Sequence, residues 1–246
     1  MKAICYNGEF LPADSPLFTA GNRGFRYGDG VFETAKVFGG KMLLSVLHFN
    51  RLFTSLQLLG IRPGPQCTPQ LLEEKILQLC QINGCAALAR ARLAVYRTDD
   101  GEAGYVIEAF SLGADVMQLN SVGWNMIVYP LARKSCDAFA NLKSAAYLPY
   151  VLAGAYAAAQ NADEALVLNC NNNIADGSKT NLFFIKRNEI YTPALPEGGV
   201  AGVMRLHIID SLKQKDYAIP QTKVNGEDLM GADELFCTNA IQGMRW

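Results

Sequence analysis

Residues 87–96, Ala-Leu-Ala-Arg-Ala-Arg-Leu-Ala-Val-Tyr, and residues 105–112, Tyr-Val-Ile-Glu-Ala-Phe-Ser-Leu, are two strongly apolar runs flanking the polar turn Thr98-Asp99-Asp100-Gly101. Short runs rich in Val, Ile, Tyr and Phe, bounded by Asp and Gly, predict a pair of adjacent strands. Upstream, Asn7-Gly8 and Gly39-Gly40 are hairpin signals, and Val31–Phe38 between them alternates as a strand. Leu52, Leu56 and Leu59 recur at helical spacing within 47–59 and Gly60 follows as a stop, so this stretch predicts an amphipathic helix. A second helix is predicted over Pro69–Ile82, ending near Asn83-Gly84.

Downstream of the strand pair, residues 113–122 lack a clear period and precede a fresh strand at Trp124–Tyr129. They predict an interdomain linker, with a small α/β domain over residues 1–112 and a larger domain over 123–246. In the second half, residues 144–162 are rich in Ala and Leu and predict a helix, whereas Glu164–Leu168, Asn181–Lys186 and Glu189–Tyr191 read as strands. A helix over 202–215 and strands at 217–220 and 233–238 complete an α/β chain.

The 246 residues are 50% hydrophobic and 18% charged, the composition of a packed globular protein. Lys and Arg number 22 against 23 Asp and Glu, so no net field favours nucleic acid or an anionic membrane surface. Neither a leader-like apolar segment nor a membrane-length apolar run is present, which predicts a cytoplasmic protein. The seven cysteines are scattered, without the paired spacing of a zinc site or a disulfide framework, and read as reduced, mostly buried thiols. With only His48 and His207, a His-rich metal site is not expected, and both histidines read as structural.

Two features carry chemistry. Gly198-Gly199-Val200-Ala201-Gly202-Val203-Met204-Arg205 leads a small, flexible loop into a helix, whose first N–H groups and positive dipole end suit an anion such as phosphate. The same glycines serve equally well for turning alone. Lys143 lies in Asn141-Leu142-Lys143-Ser144, just before the Ala-rich helix and with few charges near it in sequence. A lysine among apolar neighbours forms Schiff bases with carbonyl compounds; a snorkelling surface lysine gives the same pattern.

Taken together, Tyr27-Gly28-Asp29-Gly30-Val31-Phe32-Glu33-Thr34, His48-Phe49-Asn50-Arg51-Leu52, Lys143, Asp163 through Leu168, and Asp176 through Asn181-Leu182-Phe183 resemble the class IV aminotransferases in order and spacing, over nearly the whole chain. That family comprises branched-chain and D-amino-acid aminotransferases and 4-amino-4-deoxychorismate lyases. The resemblance implies the pyridoxal 5'-phosphate (PLP) enzyme fold of type IV, D-amino-acid aminotransferase-like, with two α/β domains and the cofactor at their interface. It also implies a homodimer acting on a small amino-acid-like substrate.

By the same resemblance Lys143 holds PLP as a Schiff base and moves the substrate α-proton. Arg51, the backbone of Val203 and Met204, and Thr238 with Asn239 contact the cofactor phosphate. Asp176 stands where the family usually has a Glu that keeps the pyridine nitrogen protonated, and it is one methylene shorter. Without the resemblance, Asp176-Gly177 reads as a plain turn. Glu33 and Arg97 are candidates for the substrate pocket, and Tyr27 and Tyr147 are as readily explained as packing aromatics.

Within the family, the ungapped spacing from Lys143 to Leu152, the tail Glu234 through Ile241, the Gly202–Arg205 block and the short chain resemble the lyase, which eliminates pyruvate to leave 4-aminobenzoate. Against this, the loop Arg97-Thr98-Asp99-Asp100-Gly101-Glu102-Ala103-Gly104-Tyr105 keeps Arg97 as its obvious cation, whereas a chorismate-derived substrate brings two carboxylates. An amino-acid aminotransferase is the second reading. A non-catalytic metabolite-binding protein on the same scaffold is the third.

Overall fold

In the computed structural model, which describes residues 1–246, Asn7 and Gly8 turn with φ of 47° and 94° and join strands Ala3–Tyr6 (β1) and Glu9–Pro12 (β2). Asn22 caps the short helix Arg23–Tyr27 (α1) by accepting from the Phe25 N–H. Strand Gly30–Phe38 (β3) turns through Gly39-Gly40 into Lys41–Met42 (β4). Helices Ser45–Leu59 (α2) and Pro69–Ile82 (α3) follow, the second opened by a Thr68 cap and by Pro69, whose missing N–H costs nothing there. Strands Leu88–Arg97 (β5) and Ala103–Ser111 (β6) are the antiparallel pair that residues 87–112 predict.

These strands form one sheet in the order β2-β1-β6-β5-β3-β4. Val31, Ala35 and Val37 of β3, with Ala89, Ala91, Leu93 and Val95 of β5, face a core completed by Phe49, Leu52 and Leu56 of α2 and Leu72, Ile76 and Leu79 of α3. Because side chains alternate along a strand, Phe32, Thr34 and Lys36 of β3 project from the other face. Arg92 and Arg90 of β5 lie in register with Thr34 and Lys36.

The second part begins with strand Met126–Lys134 (β7), longer than the sequence predicts and irregular between Tyr129 and Arg133. Helix Leu148–Ala159 (α4) links it to the parallel strand Glu164–Asn169 (β8), against which Ile174–Gly177 (β9) runs antiparallel. Strands Asn181–Lys186 (β10) and Glu189–Pro193 (β11), helix Val203–Lys213 (α5), strand Gln221–Thr222 (β12), helix Gly226–Met230 (α6), and strands Glu234–Asn239 (β13) and Gly243–Arg245 (β14) follow. They build a second sheet in the order β12-β11-β10-β13-β14. Ala153 and Ala157 of α4 pack on Ala165 and Val167 of β8, small residues that bring helix and strand close. Phe183 and Phe236 stack at 5.0 Å across β10 and β13.

Two predicted elements are corrected. The helix expected from residue 144 starts only at Leu148. Residues 143–145 are extended instead, the Phe32 N–H donating to the Lys143 carbonyl and the Ala145 N–H to the Gly30 carbonyl, both at 2.9 Å. An earlier helix start would also put Pro149 in a helix interior, where its ring meets the carbonyl four residues back. The strand expected over 217–220 forms instead at 221–222, paired in parallel with Thr192 and Pro193.

The chain gathers into two units, Met1–Val116 with Lys143–Ala146, and Met117–Leu142 with Tyr147–Trp246. The β3 edge that receives residues 143–145 is tightly built: a Cβ on Gly30 would lie 2.3 Å from the Val95 carbonyl oxygen. Gly30→Ala is therefore expected to lower the unfolding free energy in urea by about 1–3 kcal/mol. Gly226→Ala, where a Cβ meets nothing within 4 Å, is expected to change it by at most about 0.5 kcal/mol.

Candidate active site

In the first unit, Lys143 reaches the face of the sheet that the helices leave uncovered. Its extended backbone lies beside Gly30–Phe32, so its side chain projects from the same face as Phe32, and Nζ sits 4.6 Å from the centre of that ring. The Arg92 guanidinium lies 5.0 Å from the same ring and also meets Glu108 at 3.4 Å. Amine, aromatic ring and guanidinium thus share one surface.

On the helix-covered face, Glu33 is buried with both carboxylate oxygens engaged. Arg51 of α2 donates from Nε to Oε1 at 2.7 Å and from Nη2 to Oε2 at 2.5 Å, and His48 Nδ1 meets Oε2 at 2.6 Å. Burial pushes this carboxyl up, but the Arg51 charge and the hydrogen bonds from His48 and Arg51 outweigh it and hold the pKa at about 2. The substrate-pocket expectation for Glu33 is thereby corrected: a side chain on this face of β3 points into the core. Arg51 turns its fork toward Glu33, and His48, assigned no chemistry from the sequence, belongs to the same cluster.

Arg97 is likewise an internal tie. It donates to Asp29 Oδ2 at 3.0 Å and to the Gly60 and Leu59 carbonyls at 3.0 and 2.8 Å, holding the end of α2 to the strand. The sequence expectation of a substrate cation at Arg97 thus falls on a side chain already engaged within the first unit. Tyr27 is largely exposed, and Tyr147 stacks on Tyr150 at 4.4 Å.

In the second unit, Asp176 is buried at the end of β9, on a strand rather than in a turn. Its Oδ2 accepts from the Val200 N–H at 2.8 Å, its Oδ1 from Asn181 Nδ2 at 2.9 Å, and the Tyr150 hydroxyl lies at 3.4 Å. Asn181 also donates to the Val200 carbonyl, and Asn141 donates to the Leu195 and Gly199 carbonyls. The glycines are required by this crowding: a Cβ on Gly199 would lie 2.4 Å from the Ala175 oxygen, and one on Gly202 would overlap Asn181 Oδ1. The sequence assigned no role to Asn141 or Asn181, since an Asn carries no local sign of partners such as the Leu195 and Gly199 carbonyls or the Val200 carbonyl, far along the chain.

The same loop opens α5, where Gly202 occupies the cap position and supplies no side-chain acceptor to the N–H groups of Val203 and Met204. Helix α5 packs on β13, which carries Thr238. Thr238 is buried, and its hydroxyl finds no hydrogen-bond partner within the chain. Asn239 builds the following turn, its Oδ1 accepting from the Ile241 and Gln242 N–H groups at 3.0 and 2.7 Å.

A model of the family described as amino-transferase class IV matches residues 30–245. The chain belongs to that family. An aminodeoxychorismate lyase of Bacillus subtilis is 28% identical over 244 residues, covering 97% of this chain and 83% of that one. A D-alanine aminotransferase of Staphylococcus aureus is 26% identical over 248 residues, covering 97% and 86%. The crystal structure of a branched-chain aminotransferase from Thermoproteus uzoniensis superposes with a TM-score of 0.86 at 22% identity, covering 99% and 85%, and shares the fold.

This class IV aminotransferase is accordingly a PLP-dependent enzyme, and its own residues fit that cofactor. An orphaned buried hydroxyl costs roughly 1–3 kcal/mol unless a ligand accepts its hydrogen bond, and the opening turn of α5 offers N–H donors to an anion. Asp176 supplies a buried carboxylate of the kind that holds a protonated pyridine nitrogen.

Two outcomes follow. Glu33 contributes stability above pH about 4.5, lost as pH falls toward about 2. Glu33→Gln should cost about 3–5 kcal/mol at neutral pH and flatten that acid limb in unfolding free energies measured against pH. Thr238→Val should stabilise the cofactor-free protein by about 1–2 kcal/mol, while weakening PLP binding by about tenfold in fluorescence titrations.

Proposed function

We propose that this enzyme is a 4-amino-4-deoxychorismate lyase in which Lys143 holds PLP as a Schiff base and carries the substrate α-proton. The observation that carries the reading is the cationic surface around Lys143. Phe32 is flanked by the Lys143 amine and the Arg92 guanidinium, at 4.6 and 5.0 Å. Lys36 and Arg90 stand in register on the same strands, on the side chains' shared face. A substrate with two carboxylates needs donors for both when it leaves water. Arg97 is tied to Asp29 and the end of α2, so we assign this role to Arg92, with its Glu108 contact, and Arg90.

In this reading the remaining roles fall to named groups. Asp176 holds the proton of the cofactor's ring nitrogen, while the Val203 and Met204 N–H groups and the Thr238 hydroxyl hold its phosphate. Arg51 and the turn built by Asn239 are assigned to the phosphate as well. Bound PLP supplies the electron sink for the pair left on the α-carbon. With PLP bound, the Lys143 amine would take the α-proton and deliver it to the departing enolpyruvyl group, which becomes pyruvate as the ring becomes the aromatic 4-aminobenzoate. An aminotransferase uses the same proton carrier but returns the proton to the cofactor, and a dicarboxylic amino acid would meet the same cations.

No helix is long and apolar enough to cross a membrane, and we infer a cytoplasmic homodimer acting in folate synthesis. Phe25 and Leu131, about 80% exposed at 79% and 81%, are the kind of apolar surface that a second copy covers.

PLP-loaded protein incubated with 4-amino-4-deoxychorismate should release 4-aminobenzoate and pyruvate in equal amounts. The reaction, and trapping of PLP by borohydride, should be abolished in Lys143→Ala. Arg92→Ala should raise KM by about tenfold or more, the size of one lost charged hydrogen bond. Keto-acid formation from D-alanine or L-leucine with 2-oxoglutarate, in the absence of 4-aminobenzoate, would make the enzyme a transaminase instead.

A further inference from the structure

Five of the seven cysteines are buried; Cys170 is exposed and Cys136 half-buried. The strands that carry these two run side by side, with Lys134 of β7 in register with Asn169 of β8. Cys136 lies two residues beyond the end of β7, and Cys170 immediately follows β8. The Cys170 N–H donates to the Lys134 carbonyl at 2.9 Å, so the two strand ends are joined through backbone. Across that junction the thiol sulfurs stand 3.6 Å apart. The Cys80 and Cys85 thiols are also neighbours, but both lie in the core of the first unit, out of reach of a solute.

We propose that Cys136 and Cys170 are a modification site: a thiol pair that a peroxide converts to a reversible disulfide. Exposed Cys170 attacks the peroxide, its sulfur taking one oxygen as the O–O bond breaks; hydrogen peroxide thereby yields a sulfenic acid and one water. Cys136 then attacks the Cys170 sulfur, the S–S bond forms, and the hydroxyl leaves as a second water. Two thiols lose two electrons and two protons in all, and peroxide is the oxidant. Burial, the neighbouring Cys170 and the charge of Glu197 raise the Cys136 thiol, which suits it to the second, intramolecular attack rather than the first.

The bond would close a loop of sequence separation 34, containing α4 and Lys143. It would also tie down a segment already pressed against the glycine loop: a Cβ on Gly198 would lie 2.3 Å from the Ser135 carbonyl oxygen and 3.7 Å from Cys136 Sγ. The site requires neither cofactor nor substrate, so it stands apart from the lyase reading.

The test is to treat the full-length protein with hydrogen peroxide, block remaining thiols and digest with trypsin without reduction. The expected product joins peptide 135–143 to peptide 144–179, two hydrogens lighter than their sum. Dithiothreitol should erase it, and Cys170→Ser, at an exposed position, should never form it. Met230, 89% exposed, reports the dose within the same digest. If Met230 is oxidised while Cys136 and Cys170 both remain alkylatable, or if Cys170 proceeds to sulfinic acid with Cys136 still free to alkylate, the proposal is overturned.

Discussion

A carboxylate leaves water only where donors and opposite charge replace its hydration, since an uncompensated buried charge costs several kcal/mol. Buried carboxylates satisfied in this way recur in both units, and Glu33 and Asp176 are the two at the candidate site. In the first, Glu33 draws Arg51 and His48 of α2 against β3, fixing the helix on the sheet at the residue next to Phe32. In the second, Asp176 is met by the Val200 N–H, Asn181 and Tyr150, so one acidic side chain gathers β9, β10, α4 and the glycine loop. Gly199 and Gly202 are then a steric requirement, because the Ala175 carbonyl oxygen and Asn181 Oδ1 occupy the space a side chain would need.

This arrangement separates what scaffold and surface contribute. Elements that must be immobile, such as the α5 opening and Asp176, are held by hydrogen bonds that depend little on the substrate. The Lys143 face is less enclosed, and Arg92 and Arg90 rest there against Phe32 and Phe110. On the proposed reading, changing a few side chains on that face would alter which acids fit without disturbing Glu33 or Asp176. A family of lyases and transaminases on one fold is physically reasonable for that reason, since their first proton transfer is common.

The strands around residues 87–112 and the two helices of the first unit were legible because alternation, leucine spacing, Thr68-Pro69 and Gly60 all agree locally. The start of α4 was not, because Ala145 and Ala146 favour helix while the backbone partners of residues 143–145 lie over one hundred residues earlier, on β3. Asp176-Gly177 illustrates the same limit: as a dipeptide it signals a turn, yet pairing with Leu166 and Val167 draws it into a strand. At the candidate site, the family motif marked Lys143, Asp176 and the α5 opening. It could not show that Glu33 turns inward or that Arg97 serves Asp29, since those outcomes rest on which face of a strand each side chain takes and on partners far away in sequence.

The extended course of residues 143–145 places an unusual demand on insertion and deletion. Side-chain direction on a strand reverses with every residue, so a shift of one position along β3 would turn the Lys143 amine from the open face into the helix-packed core. Residues 137–139, between the contacts of Ser135 and Cys136 and those of Ala140 and Asn141, have no such parity to preserve. Length changes are therefore graded by a two-residue clock: least constrained there, and at the lysine itself acceptable only in even steps.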